Sequence, residues 1–277
     1  MKILLLGKSG MLGSCFLKHL TSFHGQVFAL GHEDLDITDA QKVMEVVKQV
    51  SPVIVINCTA YTAVDNAESD VESALKINGY ALEGLARACK EAGSKLIHFS
   101  TDYVFDGNKS EGYLENDLTD PINVYGKSKL LGEEMIMANM SDFYVVRTSW
   151  LFGENGKNFV DTMVALAKTN KELKVVGDQI GSPTYTNDLV MAVVENFVEK
   201  EAAPGIYHLT NSGKTSWYGF AKKIFEVLKL DVEVLEVSSA EFSRPAKRPN
   251  FSVLINSKLP LMRSWEEALS GYLGLRY

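Results

Sequence analysis

Short runs of aliphatic and β-branched residues recur through the first half of the chain, at 3–6, 27–30, 53–56, 96–100 and 144–147. Between them lie segments whose apolar positions repeat every three to four residues, such as 11–20 and 74–92. Strand-length runs alternating with helical periodicity predict parallel strands joined by right-handed helical crossovers. The runs are nearly continuous in apolar character, as in a sheet covered on both faces. The reading is an α/β fold, a doubly wound, Rossmann-like parallel sheet forming a dinucleotide-binding domain over residues 1–149. Beyond residue 150 the alternation loosens and the loops 177–183, 213–216 and 244–249 become prominent. Residues 150–277 therefore read as a smaller, mainly substrate-binding part, with Val175-Val176 and 206–209 as candidate strands returning to the first sheet.

With 277 residues, 46% apolar and 23% charged, the chain has an ordinary globular composition. Its net charge of −7 has the wrong sign for a general nucleic-acid or anionic-membrane binder, so an anionic ligand needs a local site. Cys15, Cys58 and Cys89 are odd in number and far apart, which suggests neither a disulfide framework nor zinc, and they read as buried small hydrophobes. His19, His24, His32, His98 and His208 lack metal-ligand spacing and read as core or surface residues, so no metal is expected. The apolar run before Gly7 is too short for a signal segment, and no stretch reaches the ~18 residues of a membrane span. A cytoplasmic protein is expected, with neither nucleic acid nor membrane as partner.

Gly7, Gly10 and Gly13 form G-x-x-G-x-x-G between the first strand and the first helix. Glycine there lets backbone amides approach a pyrophosphate, which then sits at the positive end of the helix. The second strand ends at Leu30-Gly31-His32, with Glu33 and Asp34 arriving late for the carboxylate that usually holds the adenosine ribose. NADH and NADPH both stay open.

The fourth strand ends at Thr101, and Tyr125 and Lys129 lie one helical turn apart further on. A phenol near its free pKa of ~10 is a poor acid at neutral pH, and an adjacent ammonium would lower that value. Thr101 would hydrogen-bond the reacting oxygen. Chance supplies about one Tyr-x-x-x-Lys pair in such a chain, and Tyr218 with Lys222 is a second. Position separates them, because Thr101 and Tyr125 belong to the strand ends where open α/β sheets bind ligands.

These segments resemble the extended short-chain dehydrogenase/reductases and, among them, the dTDP-4-dehydrorhamnose reductases, over almost the whole chain. The carriers are 7–13 (GKSGMLG), 57–68 (NCTAYTAVDNAE), 100–107 (STDYVFDG), 124–133 (VYGKSKLLGE), 147–150 (RTSW), 158–160 (NFV), 178–184 (DQIGSPT), 205–209 (GIYHL) and 244–249 (RPAKRP). The resemblance implies Thr101, Tyr125 and Lys129 as catalytic residues. It implies Gly10, Met11 and Leu12 at the phosphates, Asp36 and Ile37 on the adenine side, and Ala60, Tyr61 and Thr62 beside the cofactor. Asp102, Tyr103 and Trp150 would line the sugar site. Arg244 and Arg248, with Lys247 between them, would clamp a diphosphate, although exposed basic loops are common. By itself Trp150 reads equally as a stacking platform or a core residue, and Asp102 as a turn-former.

The implied activity is NAD(P)H-dependent reduction of dTDP-4-dehydro-L-rhamnose to dTDP-L-rhamnose, with a dTDP-sugar as partner. Alternatives are another nucleotide-sugar reductase or epimerase, or a non-catalytic dinucleotide-binding regulatory subunit. Gly31 stands where some members carry an acid, leaving the cofactor open. Cys15 stands where some have a carboxylate for a magnesium-linked dimer contact, so a homodimer is left open and its metal is not carried over.

Overall fold

The computed structural model describes residues 1–21 and 24–277. The apolar runs become β1 (Lys2–Leu6), β2 (Gln26–Leu30), β3 (Ile54–Asn57), β4 (Lys95–Thr101) and β5 (Phe143–Thr148), and Gly205–His208 adds β6. All pair in parallel, in the order β6-β5-β4-β3-β1-β2. The order reverses between β1 and β3, and the crevice at the carboxyl ends of those strands is where such sheets take ligands.

The principal helices are α1 (Met11–Leu20), α2 (Ala40–Val50), α3 (Ala81–Ala92), α4 (Val124–Asn139), α5 (Phe159–Ala167), α6 (Thr186–Val193), α7 (Trp217–Leu228) and α8 (Trp265–Arg276). Alternate residues of each strand face opposite layers. Ile3, Leu5, Ile54 and Ile56 pack against Phe16 of α1 and Leu189 and Val193 of α6. Leu4, Leu6 and Val55 pack against Val43, Leu82, Leu85 and Ile136 on α2, α3 and α4. A third cluster of Phe152, Val160, Tyr185, Phe220, Trp265 and Tyr272 lies within the C-terminal part.

Two expectations need correction. Residues 206–209 do return to the main sheet, through β6, but Val175 and Val176 do not: they lie in Glu172–Val176, which pairs in parallel with Glu233–Val237 as a separate two-stranded sheet. An apolar strand packed on one helix layer has the same signature as one in the central sheet. The helical segment 74–92 is interrupted by a π-helical turn at Lys76–Tyr80, ahead of α3. Such turns often sit at functional sites, and this one carries the buried Asn78.

An ion pair under the sheet fixes α4. Arg147 of β5 donates from Nε and Nη2 to the Glu133 carboxylate of α4 at 3.0 and 2.6 Å, and both side chains are almost fully buried. Ser100 of β4 donates to the same carboxylate at 2.5 Å. Removing one partner of a buried pair strands the other charge, so Arg147→Met should cost about 3–5 kcal/mol of unfolding free energy, and adding Glu133→Leu should recover much of it. Urea denaturation measures both, and a single-variant loss below about 1 kcal/mol would contradict this reading.

Candidate functional site

Gly7 has φ +82°, a left-handed conformation that favours glycine, and its amide donates to Leu30 O at 2.8 Å. A Cβ at Gly13 would overlap the Gly7 carbonyl, so α1 packs directly on the turn. Gly10, by contrast, would hold a Cβ in ordinary contact, 3.6 Å from Gly7 O, and leaves the start of α1 without a side-chain cap. The first amides of α1 are thus left for a ligand at the positive helix end.

After β2 the chain folds an acid back toward Gly31. A Cβ at Gly31 would collide with the Glu33 carboxylate, which folds back over the place where a residue-31 side chain would stand. Lys8 Nζ lies 2.5 Å from Asp34 and 3.6 Å from Glu33, so a cation and two acids share this corner. Asp36 is exposed and accepts from the Thr38 amide at 2.9 Å. Ile37 buries its side chain in the core beside it.

After β3, Asn78 of the π turn clamps the next loop: its Oδ1 accepts from Tyr61 N at 2.8 Å and its Nδ2 donates to Tyr61 O at 2.9 Å. Ala60 and Thr62 thereby line a cleft of about 710 Å³ with Gly10, Met11 and Leu12. The Tyr61 hydroxyl lies 3.4 Å from Asp70, and its ring is not among the cleft's walls.

Thr101, Tyr125 and Lys129 all line this cleft. Asn123 starts α4 by accepting from Gly126 N at 2.7 Å, and the turn between Tyr125 and Lys129 follows. Lys129 is 2% exposed, and its Nζ donates to Phe99 O at 2.6 Å and lies 3.1 Å from His98 Nε2. Burial pulls its pKa down to about 8, against the opposing pull of Glu133 and the Cys58 thiol. Burial pushes Tyr125 up to about 12, the Asp102 charge adds to this, and a Thr101 hydrogen bond partly offsets it. The expected lowering of the phenol is therefore absent in the free protein. Desolvation disfavours phenolate and ammonium alike.

Asp102 is 2% exposed and has both oxygens engaged: it accepts from Thr101 Oγ1 at 3.0 Å and from Ser252 Oγ at 2.5 Å. Burial raises its pKa to about 7. Tyr103 packs edge-on to Tyr125 with ring centroids 6.0 Å apart. Trp150, at φ +47°, stacks on Trp217 with centroids 3.5 Å apart, and both line the cleft. It is thus at once a wall of the cleft and part of an aromatic layer.

A second cavity of about 630 Å³ shares Phe159 and Trp217 with the first and reaches Arg244 and Arg248. Its basic loop is anchored. Arg248 donates to both Asp65 oxygens at 2.6 and 2.8 Å, Arg244 stands 3.7 Å from the same carboxylate, and Asn123 Nδ2 donates to Lys247 O at 2.8 Å. The Arg248 hydrogen bond holds Asp65 below the usual carboxylate range.

Asp65, Asn78, His98, Ser252 and Trp217 escaped the sequence reading as site residues. Only Asp65 lay within a quoted motif. Cys58 also lines the cleft and only Cys89 of the three cysteines is fully buried, which corrects the expectation for Cys15 and Cys58. The second pair lies apart, with Lys222 exposed over the Tyr218 ring at 5.3 Å. Among the described residues no group of three or more His, Cys, Asp or Glu side chains could hold a metal ion, and no helix is long and apolar enough to cross a membrane.

A doubly wound parallel sheet with a glycine turn at its crevice, and a tyrosine and a lysine facing it, defines the class: a Rossmann-type, NAD(P)H-dependent oxidoreductase. The model of the family described as RmlD substrate binding domain matches residues 1–275. A dTDP-4-dehydrorhamnose reductase of Burkholderia thailandensis is 40% identical over 94% of this chain and 92% of its own. The spore coat polysaccharide biosynthesis protein SpsK of Bacillus subtilis is 42% identical over 98% and 96%. The crystal structure of a dTDP-4-dehydrorhamnose reductase from Bacillus anthracis in complex with NADP superposes with a TM-score of 0.96, at 39% identity and 99% coverage of both chains. The chain belongs to the dTDP-4-dehydrorhamnose reductase family.

Burial of Asp102 makes stability depend on pH. Its native carboxyl holds a proton up to about pH 7, whereas the unfolded one releases it near 4. The native state then binds more protons across that window, so this contribution to stability is full below pH 4 and is lost as pH rises through 7. Relative to Asp102→Asn, the wild-type protein should lose up to about 4 kcal/mol between pH 4 and 7. Urea denaturation of both proteins across that range checks it, and a pH-independent difference would contradict it.

Proposed function

We propose that this protein reduces the C4 ketone of dTDP-4-dehydro-L-rhamnose to the hydroxyl of dTDP-L-rhamnose, using NADPH or NADH. The observation that carries the reading is the convergence of Thr101, Tyr125 and Lys129 in one cleft, between the uncapped start of α1 and the cavity bordered by Arg244 and Arg248.

The residues fit a dinucleotide. Gly10, Met11 and Leu12 line the cleft at the uncapped start of α1, and Thr148 Oγ1, buried without a hydrogen-bond partner among the described residues, lines it as well. Gly7 and Gly13 shape the turn, Ala60 and Thr62 wall the same side, and Asp36 with the Lys8–Glu33–Asp34 corner takes the adenosine end. When bound, reduced nicotinamide supplies the hydride that the sugar C4 accepts.

Thr101 turns its hydroxyl proton from Asp102 to the carbonyl oxygen, and Tyr125 gives its phenolic proton to that oxygen as the alcohol forms. Lys129 sets the state of the phenol and reaches the nicotinamide ribose. Asp102 acts on the sugar through Thr101, whose hydroxyl it holds in place, with Ser252 fixing its other oxygen. Tyr103 and Trp150 flank the sugar. Arg244 and Arg248 face the diphosphate, Arg248 being oriented by Asp65. The reaction belongs in the cytoplasm, and the reading leaves room for a homodimer.

Two variants test this assignment. Tyr125→Phe keeps the ring packing and removes the proton, so turnover should fall by about 10²–10⁴ with cofactor affinity retained. Arg248→Ala removes charge-assisted hydrogen bonds worth ~1.5–3 kcal/mol each and should raise the substrate KM at least about tenfold, with little change for the cofactor. Steady-state kinetics with dTDP-4-keto-6-deoxy sugars and a fluorescence titration of the cofactor measure both. Near-wild-type turnover in Tyr125→Phe would overturn the mechanism, and an unchanged KM in Arg248→Ala would free that loop of a binding role.

A further inference from the structure

At the carboxyl end of β5, Thr148 carries a hydroxyl that the fold buries and leaves unpaired. The residue is 5% exposed, and among the described residues its Oγ1 and the indole nitrogen of Trp265 are the two buried side-chain polar atoms without a hydrogen-bond partner. A group left in that state is costly, and native structures seldom keep one without a ligand or a water to take it up. Trp265 belongs to the aromatic cluster of the C-terminal part. Thr148 instead lines the cleft.

Its place is set from both sides. In the parallel register Thr148 stands opposite Thr101, two residues on from the pair Val146 and Phe99, so the two threonines share one face of the sheet. The Thr101 hydroxyl is engaged by Asp102 and by the Tyr103 amide. Next along the chain, Ser149 Oγ donates to Ser182 O at 2.7 Å, and Trp150, at φ +47°, accepts at its carbonyl from Thr184 N at 3.2 Å. A non-glycine residue in the left-handed region persists only where its surroundings over-determine it, and such positions gather at ligand sites. The backbone after Thr148 is thus fixed, and its hydroxyl is free for a ligand in the cleft.

We propose that the Thr148 hydroxyl binds the carboxamide of the nicotinamide ring. The inference rests on the cofactor placement given above and deepens it. Thr148 shares the cleft with Gly10, Met11 and Leu12 at the start of α1, whereas Arg244 and Arg248 line the second cavity, which assigns it to the cofactor and not to the sugar's diphosphate. Across the sheet the cleft runs from the end of β1 past β3 and β4 to β5. A dinucleotide with its phosphates at α1 and its reactive carbon near Thr101 and Tyr125 therefore brings its nicotinamide end, not its adenosine, to Thr148. The carboxamide offers an acceptor oxygen and a donor NH2, and a threonine hydroxyl can pair with either. A hydroxyl there keeps the ring from turning about its glycosidic bond, and one face of C4 is presented to the ketone.

The test reads binding and stability, without turnover. Thr148→Val keeps the side-chain shape and removes the hydroxyl. By calorimetric titration its affinity for NADPH should fall about fivefold or more, while its affinity for 2′-phospho-ADP-ribose, which lacks the nicotinamide, should match the wild type. Thr148→Ser keeps the hydroxyl and should restore NADPH binding. The urea midpoint of the free Thr148→Val protein should stay level or rise, because no protein group loses a partner. Unchanged NADPH affinity in Thr148→Val would overturn the proposal, including the case in which only binding of a dTDP-sugar weakens. An equal loss for both probes, or a lowered urea midpoint, would overturn it as well. A protein that binds NADPH in the predicted way and yet fails to reduce a dTDP-4-keto sugar would count against the proposed reaction and leave the Thr148 assignment standing.

Discussion

Burying the nitrogen of Lys129 at the floor of the cleft is the constraint around which the rest is built. A buried ammonium without partners costs several kcal/mol, so the surrounding elements each contribute something to it. Strand β4 offers the Phe99 carbonyl and His98, and the helix that carries Lys129 offers Glu133. Glu133 is in turn held by Arg147 and Ser100, which locks the helix to two strands. Tyr125 and Lys129 therefore keep their relation to Thr101 because the core beneath them admits little movement.

The substrate side is assembled differently, by contacts that span the chain. Ser252 meets Asp102, Arg248 meets Asp65, the Lys247 carbonyl meets Asn123, and Trp217 stacks on Trp150. The first three tie loops of the C-terminal part to the N-terminal residues that position the phenol and threonine, and the fourth closes the aromatic wall. The groups proposed to hold the sugar nucleotide and those proposed to perform the chemistry are thus mechanically joined. A ligand that reorients Arg248 acts on a loop hydrogen-bonded to the start of α4.

Much of this was legible in the sequence where the signal is local. β1, β3 and β4 are buried on both faces and read as unbroken apolar runs, Gly7 and Gly13 are required by one tight turn, and Tyr125 and Lys129 share a helix face through their spacing. What stayed hidden depends on partners far along the chain or on burial itself. Arg248 and Asp65 are 183 positions apart, and nothing near either names the other. Charge alone predicts that Lys129 lowers the Tyr125 pKa, while the enclosure that brings them together raises it. The π turn at Lys76–Tyr80 keeps the apolar stripe going and so leaves no break in periodicity.

The central claim is hydride reduction at the sugar C4 with the new hydroxyl proton drawn through Tyr125 from solvent. The most direct measurement incubates the protein with dTDP-4-dehydro-L-rhamnose and NADPH deuterated at nicotinamide C4 on both faces, and locates the label by NMR. The account predicts a dTDP-6-deoxyhexose with one deuterium on the sugar C4 for each NADPH consumed. Deuterium on any other carbon, or an isomerised ketone formed without loss of NADPH, would contradict it.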